Sequence, residues 1–140
     1  MTSTLSHMEF RAPLPTEISS IHALLSENGW VHRVPDAAWL QKLVKRSKCV
    51  VAVNAGEVVG FCRGVTDDLS NGYLSMLVVS EEHRRGGIGS RLVRSLVEGE
   101  PSVTWVLRAE RPGARQFFEK LCFSVSVTAM ERKREMRNET

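Results

Sequence analysis

Apolar residues fall on a single helical face twice in the first third of the chain. Ile18, Ile21, Leu24 and Leu25 recur at helix spacing in PTEISSIHALLSEN, and Trp39, Leu40, Leu43 and Val44 do so in PDAAWLQKLVKRS, behind Asp36 as the capping residue. The period then becomes strand-like. CVVAVNAGEVVGFCRGV sets β-branched residues on either side of an Asn-Ala-Gly punctuation, which predicts a hairpin turning at residues 54–57. GYLSMLVVS is apolar on both pleat faces, with Tyr73, Ser75, Leu77 and Val79 on one and Leu74, Met76 and Val78 on the other, so a central strand is expected. Ile88, Leu92, Val93, Leu96 and Val97 return to helix spacing, and SVTWVLRA reads as another buried strand. Strand, helix, strand implies a parallel pair with a right-handed crossover. Pro112 opens a last helix with Ala114, Phe117, Phe118 and Leu121 on one side, and FSVSVTAM is expected to close the chain as an alternating strand. The pattern predicts an α/β fold with a mixed sheet.

No internal repeat or low-complexity linker interrupts the 140 residues, which predicts a single domain over 1–140 with 1–8 and 134–140 as flexible ends. Hydrophobic residues at 42% and charged residues at 25% match a globular chain and exclude a disordered or fibrous one. Apolar runs such as VTWVL and MLVV fall far short of the roughly 20 residues of a membrane span, and MTSTLSHMEF lacks the apolar core of a signal peptide. A cytoplasmic protein with no membrane partner is expected. Cys49, Cys62 and Cys122 are odd in number and off metal-ligand spacing, which predicts reduced thiols and no metal.

The net charge of +3 leaves room for an anionic partner, and its location matters more than its size. The tail ERKREMRN mixes signs and carries no interleaved aromatic residues, so nucleic acid is not an expected partner. The other basic group, HRRGGIGSRLVR, sits where the central strand passes into a helix. A helix start exposes unpaired N–H groups and about half a positive charge, and glycines let a phosphate reach them. With Arg84 and Arg85 adding charge, this turn suits a pyrophosphate; a plain tight connection with solvated arginines would use the same residues. A Walker loop needs Lys where Ser90 stands, and a dinucleotide fingerprint starting at Gly87 needs Gly where Leu92 stands.

These residues resemble the GCN5-related N-acetyltransferases (GNAT). LVVSEEHRRGGIGSRLV resembles the strand, loop and helix that carry that family's acetyl-CoA signature, met here by Arg84, Gly87 and Gly89, and RPGARQFFEKLCF resembles its later segment through Ala114, Phe117, Phe118 and Phe123. The resemblance implies a mostly antiparallel mixed sheet with a central parallel strand pair and about four helices, and acetyl-CoA as cosubstrate. It implies that Arg84, Arg85, Gly86, Gly87, Ile88, Gly89 and Ser90 hold the pyrophosphate and that Leu77, Val78 and Val79 pair with the pantetheine arm beside a bulge. Arg111, Ala114, Phe117 and Phe118 complete the implied cofactor set. Three departures stand out: Arg111 where many members have Asn, Cys122 where they have Gly, expected here as a small buried residue, and Phe118 where a Tyr commonly protonates the leaving thiolate.

Direct attack of an amine on the thioester in a ternary complex then needs mainly alignment and oxyanion stabilisation, the latter from a backbone N–H near Leu77. Candidates for proton removal are Glu110, Asp67, Asp68 or a water ordered by Tyr73 and Ser75; for Asp67, Asp68 and Asn71 a turn cluster is the competing reading. Trp30, His32, Arg33, Phe61, Arg63, Tyr73, Ser75 and Trp105 are the acceptor-site candidates, with Arg33 and Arg63 suited to a substrate carboxylate. The expected activity is acetylation of a small, anionic or amino-acid-like amine; peptide or protein acetylation and a non-catalytic CoA-binding module stand as alternatives. A homodimer is expected if the FSVSVTAM strand has an open edge.

Overall fold

Met8, expected in a loose end, instead begins a strand. In this computed structural model, which describes residues 7–135, the element order is β1 (Met8–Arg11), α1 (Ile18–Leu25), α2 (Ala37–Lys45), β2 (Lys48–Asn54), β3 (Glu57–Thr66), β4 (Asn71–Val79), α3 (Ile88–Val97), β5 (Thr104–Val106) and α4 (Ala114–Glu119). Of the expected flexible ends, residues 1–6 and 136–140 lie outside the described residues. Two compact units result, one ending at Arg108 and one starting at Ala109.

The first unit holds a sheet of five strands in sequence order. β1 to β4 pair antiparallel, and β5 runs parallel to β4 as the last strand among the described residues. The mixed, mostly antiparallel sheet is the expected one. β1 carries too short a pattern to be seen in sequence and is held from outside it. Arg11 grips Glu17 with both Nη atoms at 2.9 and 2.8 Å, while Glu17 also accepts the Leu14 N–H at 2.8 Å, so the turn into α1 is tied to the strand end. Hydrogen bonds from Arg11 hold the Glu17 carboxyl below the usual glutamate value.

α1 and α2 cover one sheet face. Ile18, Ile21, Leu24 and Leu25 of α1 and Leu40 of α2 join Val51, Val53, Phe61, Met76 and Val78 in a shared core, each such side chain contributing roughly 1.5–3 kcal/mol by its burial. Trp39, predicted on that apolar face, is 38% exposed, while its backbone N–H donates to the capping Asp36 carboxylate at 2.8 Å. α1 covers its whole apolar pattern, and the chain leaves helical geometry soon after it, at Asn28, before Gly29 turns at φ +93. α3 covers the opposite face, so closely that a Cβ on Gly60 would stand 2.9 Å from Leu92 Cδ1. The hairpin turns at Ala55 and Gly56, both at positive φ, as the Asn-Ala-Gly punctuation predicts.

In the second unit α4 ends in a hydrogen-bonded cap. Phe123 N–H returns to Phe118 O at 3.1 Å and Cys122 N–H to Glu119 O at 3.2 Å, while Cys122 itself takes φ +70. This is a Schellman motif with cysteine at the left-handed position, and the Phe118 and Phe123 rings, 5.6 Å apart, supply its apolar contact. Cys122 is exposed, not the small buried residue expected. FSVSVTAM forms no strand. Ser126 Oγ instead accepts the N–H groups of Thr128 and Ala129 at 3.2 and 3.0 Å, a local bond that competes with a ladder, and Val127 is 96% exposed.

Candidate functional site

The central feature is an extra residue in β4. Phe61 pairs with Val78 and Arg63 with Ser75, so two steps along β3 match three along β4. Residues paired across a ladder share a face, as do residues two apart on a strand; Ser75 and Val78 therefore share the α1 and α2 side. The faces read from sequence hold only up to Ser75. Beyond it Met76 and Val78 enter the core under α1 and α2, while Leu77 and Val79 turn to the α3 side. Met76 carries the irregularity at φ +55, which for a side chain with a Cβ costs roughly 1–2 kcal/mol. A bulge leaves part of its backbone without a ladder partner, so Met76 and Leu77 offer polar groups that β3 does not use.

The other edge of β4 is open over the same stretch. β5 pairs only with Asn71, Gly72 and Tyr73, and beyond Tyr73 the strand has no parallel partner among the described residues. Trp105 fixes this junction: a Cβ on Gly72 would stand 2.6 Å from its ring and one on Gly64 3.1 Å. The indole thus lies on the α3 side of the sheet, across from Tyr73.

β4 leads straight into the basic turn. Ser80 N–H donates to Val59 O at 2.8 Å, and Ser80 Oγ pairs with His83 Nδ1 at 2.7 Å, ending the strand in a short 3-10 turn. Arg85 then takes φ +68 and Gly87 φ +85 as the residue before α3. The first helical bond runs from Arg91 N–H to Gly87 O at 3.1 Å, which leaves the N–H groups of Ile88, Gly89 and Ser90 at the helix mouth. A Cβ on Gly86 would meet only His83 O at 3.7 Å, so the approach is unobstructed. This geometry fits a pyrophosphate. Arg84 points elsewhere: its Nε donates to Val79 O at 3.1 Å and its Nη2 to Asn28 Oδ1.

The acceptor candidates separate. Tyr73, Ser75 and Arg63 share the α1 and α2 side of the sheet beyond the core, with Arg63 Nε donating to Ser47 Oγ at 2.9 Å. Phe61 is 0% exposed and presents no surface to an acceptor. Trp30 lies under the Arg33 guanidinium, 5.8 Å from its ring centroid, and His32 is exposed beside it. Arg108, not singled out from the sequence, stands over the Tyr73 ring at 5.9 Å. The strand pattern of SVTWVLRA carried no sign that residue 108 follows β5 onto the tyrosine's side.

Among the candidate bases, Asp67 is spoken for. Its carboxylate accepts N–H groups from Leu69 and Ser70 at 2.9 and 2.8 Å and the Ser70 hydroxyl at 2.7 Å. The Ser70 backbone bond first, then the other bonds, hold its carboxyl well below the usual range, so it is a poor base at neutral pH and closes the turn. Asp68 pairs with Lys48 at 3.0 Å. Burial pushes the Cys49 thiol up to about 12 and raises that of Cys62 as well, so neither supplies a thiolate nucleophile at neutral pH. In the second unit Glu110 and Arg111 are exposed, the Arg111 carbonyl accepts the Ala114 N–H at 3.0 Å, and buried Phe118 meets Phe117 edge-on at 4.9 Å. Among the described residues no helix is long and apolar enough to cross a membrane, and no group of three or more His, Cys, Asp or Glu stands together as a metal site.

A strand opened by a bulge and running into a glycine-rich helix mouth defines a class. The family model "Acetyltransferase (GNAT) domain" matches residues 45–125, and the chain belongs to that family of acetyltransferases. Uncharacterized N-acetyltransferase YafP of Escherichia coli (strain K12) is 30% identical over 91 residues, 65% of this chain and 55% of the relative, so the chain spans about half of that protein's length. Two solved structures share the fold. A GNAT-family acetyltransferase from Xanthomonas campestris pv. campestris superposes with a TM-score of 0.78 at 22% identity, over 91% of this chain and 93% of that one. Ribosomal-protein-alanine N-acetyltransferase from Brucella melitensis biovar Abortus 2308 gives 0.73 at 15% identity, over 91% and 99%.

Proposed function

We propose that the chain is an acetyl-CoA-dependent N-acetyltransferase that moves an acetyl group to the amine of a small, anionic or amino-acid-like molecule, acting as a cytoplasmic domain over 1–140. The observation that carries this reading is the continuity of the bulged, open edge of β4 with the N–H groups at the mouth of α3. Leu77, Val78 and Val79 would pair with the pantetheine amides, and the N–H groups from Arg85 to Ser90 would hold the pyrophosphate. A backbone N–H at Leu77 would take the developing oxyanion. The amine forms a C–N bond to the acetyl carbon, the C–S bond breaks, the amine proton leaves to water or a base, and the thiolate gains a proton. Burial removes Cys49 and Cys62 as acyl-enzyme nucleophiles, in keeping with direct attack by the amine. Arg63 and Arg108 beside Tyr73 favour a carboxylate-bearing acceptor over a basic peptide.

The test is release of free CoA thiol during turnover against a panel of amines, amino acids and peptides. Faster release with an amino acid than with its amide is expected, and release with lysine-rich peptides alone would reverse the substrate class. Acetyl-CoA that binds without any thiol release would support the CoA-binding module instead. Phe118 has no proton to give where many members of the family carry a Tyr, so turnover by Phe118→Tyr tests whether this position supplies the proton that the leaving thiolate gains. Equal turnover would place the proton source elsewhere.

A further inference from the structure

The end of α1 and the basic turn are separated by 56 residues in sequence yet joined by a single guanidinium. Asn28 is fixed from behind, because its Nδ2 donates to Leu24 O at 2.8 Å, at the buried end of α1. That bond aims Oδ1 at Arg84, whose Nε also holds Val79 O at 3.1 Å. The Arg84 guanidinium therefore ties its own backbone, just before the left-handed Arg85, to the Asn28 side chain beyond α1 and to the carbonyl of Val79 at the end of β4. Asn28 is also where the chain beyond α1 first leaves helical geometry, at φ −117 and ψ 31, and Gly29 turns it at φ +93 into the segment that bears Trp30, His32 and Arg33.

We propose that Asn28 is a positioning residue that couples occupancy of the turn to the arrangement of residues 28–33. Arg84 can make both bonds only when its own backbone is placed as it is here, and a pyrophosphate gathering the N–H groups from Arg85 to Ser90 favours that placement. Filling the turn then strengthens the Arg84 grip on Asn28 and holds the segment after α1; by linkage, whatever orders that segment tightens binding at the turn by the same factor. This rests on the reading of the turn as the acetyl-CoA site. It adds that Arg84 serves as a brace, with the N–H groups and Arg85 meeting the anion.

Hydrogen exchange of residues 24–34, with and without saturating acetyl-CoA, in the natural chain and in Asn28→Ala, Arg84→Ala and the double variant, tests this together with acetyl-CoA affinity by calorimetry. Loss of one charge-assisted bond at an exposed site predicts a roughly threefold to tenfold weaker affinity in each single variant. Because the two act through one bond, the double variant should be no weaker than Arg84→Ala alone. Acetyl-CoA should slow exchange at 26–34 in the natural chain and not in Asn28→Ala, a ligand-dependent difference that a merely structural asparagine would not produce. Asn28→Ser, with a shorter polar side chain, serves should Asn28→Ala fail to fold. Additive losses, or protection confined to residues 77–90, would overturn the coupling while leaving the site in place. Failure of the natural chain to bind acetyl-CoA would overturn the site reading and this proposal with it.

Discussion

Arg85 combines a conformational cost with an electrostatic role, and the two are separable in one substitution. Its φ of +68 is strained for a side chain with a Cβ, at roughly 1–2 kcal/mol. Arg85→Gly removes that cost but frees the unfolded chain by about 0.4–1 kcal/mol. The net stability change therefore falls between about zero and a gain of about 1.5 kcal/mol, an increase in Tm of up to roughly 5 °C. Affinity should move the other way. A charge-assisted bond to phosphate contributes about 1.5–3 kcal/mol, and Arg85 is exposed, so screening reduces this to about 1 kcal/mol, or fivefold in Kd. The variant is thus expected to melt no lower than the natural protein and to bind acetyl-CoA about fivefold less tightly, with the difference shrinking as salt rises. Arg85→Ala keeps the left-handed cost and loses the charge, so it should lose affinity without gaining stability. Thermal melts of the apo proteins and calorimetry at two salt concentrations measure both quantities. Unchanged affinity in both variants would refute the placement of Arg85 at the anion, and a lower Tm for Arg85→Gly would show that the residue is held by contacts worth more than its strain.

Gly72→Ala forces a Cβ into the Trp105 ring and should cost about 1–3 kcal/mol, with Gly64→Ala costing less; both costs should vanish in a Trp105→Leu background, and equal costs for the two glycines would show that the ring simply moves aside. Cys122→Gly places the residue that the left-handed cap position suits, so chemical denaturation should show a gain of about 1 kcal/mol, and a loss would mean that the thiol makes contacts of its own. Glu17 has its carboxyl pKa lowered in the folded state, first by its hydrogen bonds from Arg11, so its contribution is complete above the unfolded glutamate value and is lost as pH falls through the lower folded one. Glu17→Gln should therefore lower Tm at neutral pH and flatten the fall of Tm on the acid side; a parallel fall in both proteins would show that other carboxylates set the acid limb.

Local pattern carried most of the first unit. The helical stripes, the Asn54–Glu57 turn and the strand-to-helix passage at Arg84–Ser90 each follow from a few neighbouring residues, and each is present. What the pattern missed depends on partners distant in sequence. β1 has only four residues and is fixed by its ladder to β2, with Arg11 tied to Glu17 at its end, and Arg108 reaches Tyr73 because β5 runs parallel to β4. FSVSVTAM shows the opposite failure: its alternation suits a strand, but alternation supplies no ladder, and the Ser126 hydroxyl satisfies nearby N–H groups. By sequence Asp67 suits either a base or a turn residue, and only its bonds to Leu69 and Ser70 decide for the turn. The two faces of β4 could not be read correctly from alternation, since nothing in Tyr73 to Val79 announces an extra residue.

That extra residue makes the two sides of Met76 unequal in their tolerance of length change. The connection Asp67–Ser70 lies beyond Thr66 and Gly72, the last pair of the β3–β4 ladder, so an inserted codon there lengthens a surface turn. One codon deleted between Ser75 and Val78 would let β3 and β4 pair without interruption, and the healed ladder would be the damaging outcome. Ser75 and Val78 would then stand two apart, as Arg63 and Phe61 do, so both would keep the α1 and α2 side, but the core would lose Met76 from that side and the polar groups that the bulge leaves open would be absorbed into the ladder. A deletion scan along this strand should therefore find its sharpest loss of acetyl transfer where the repaired backbone is most regular.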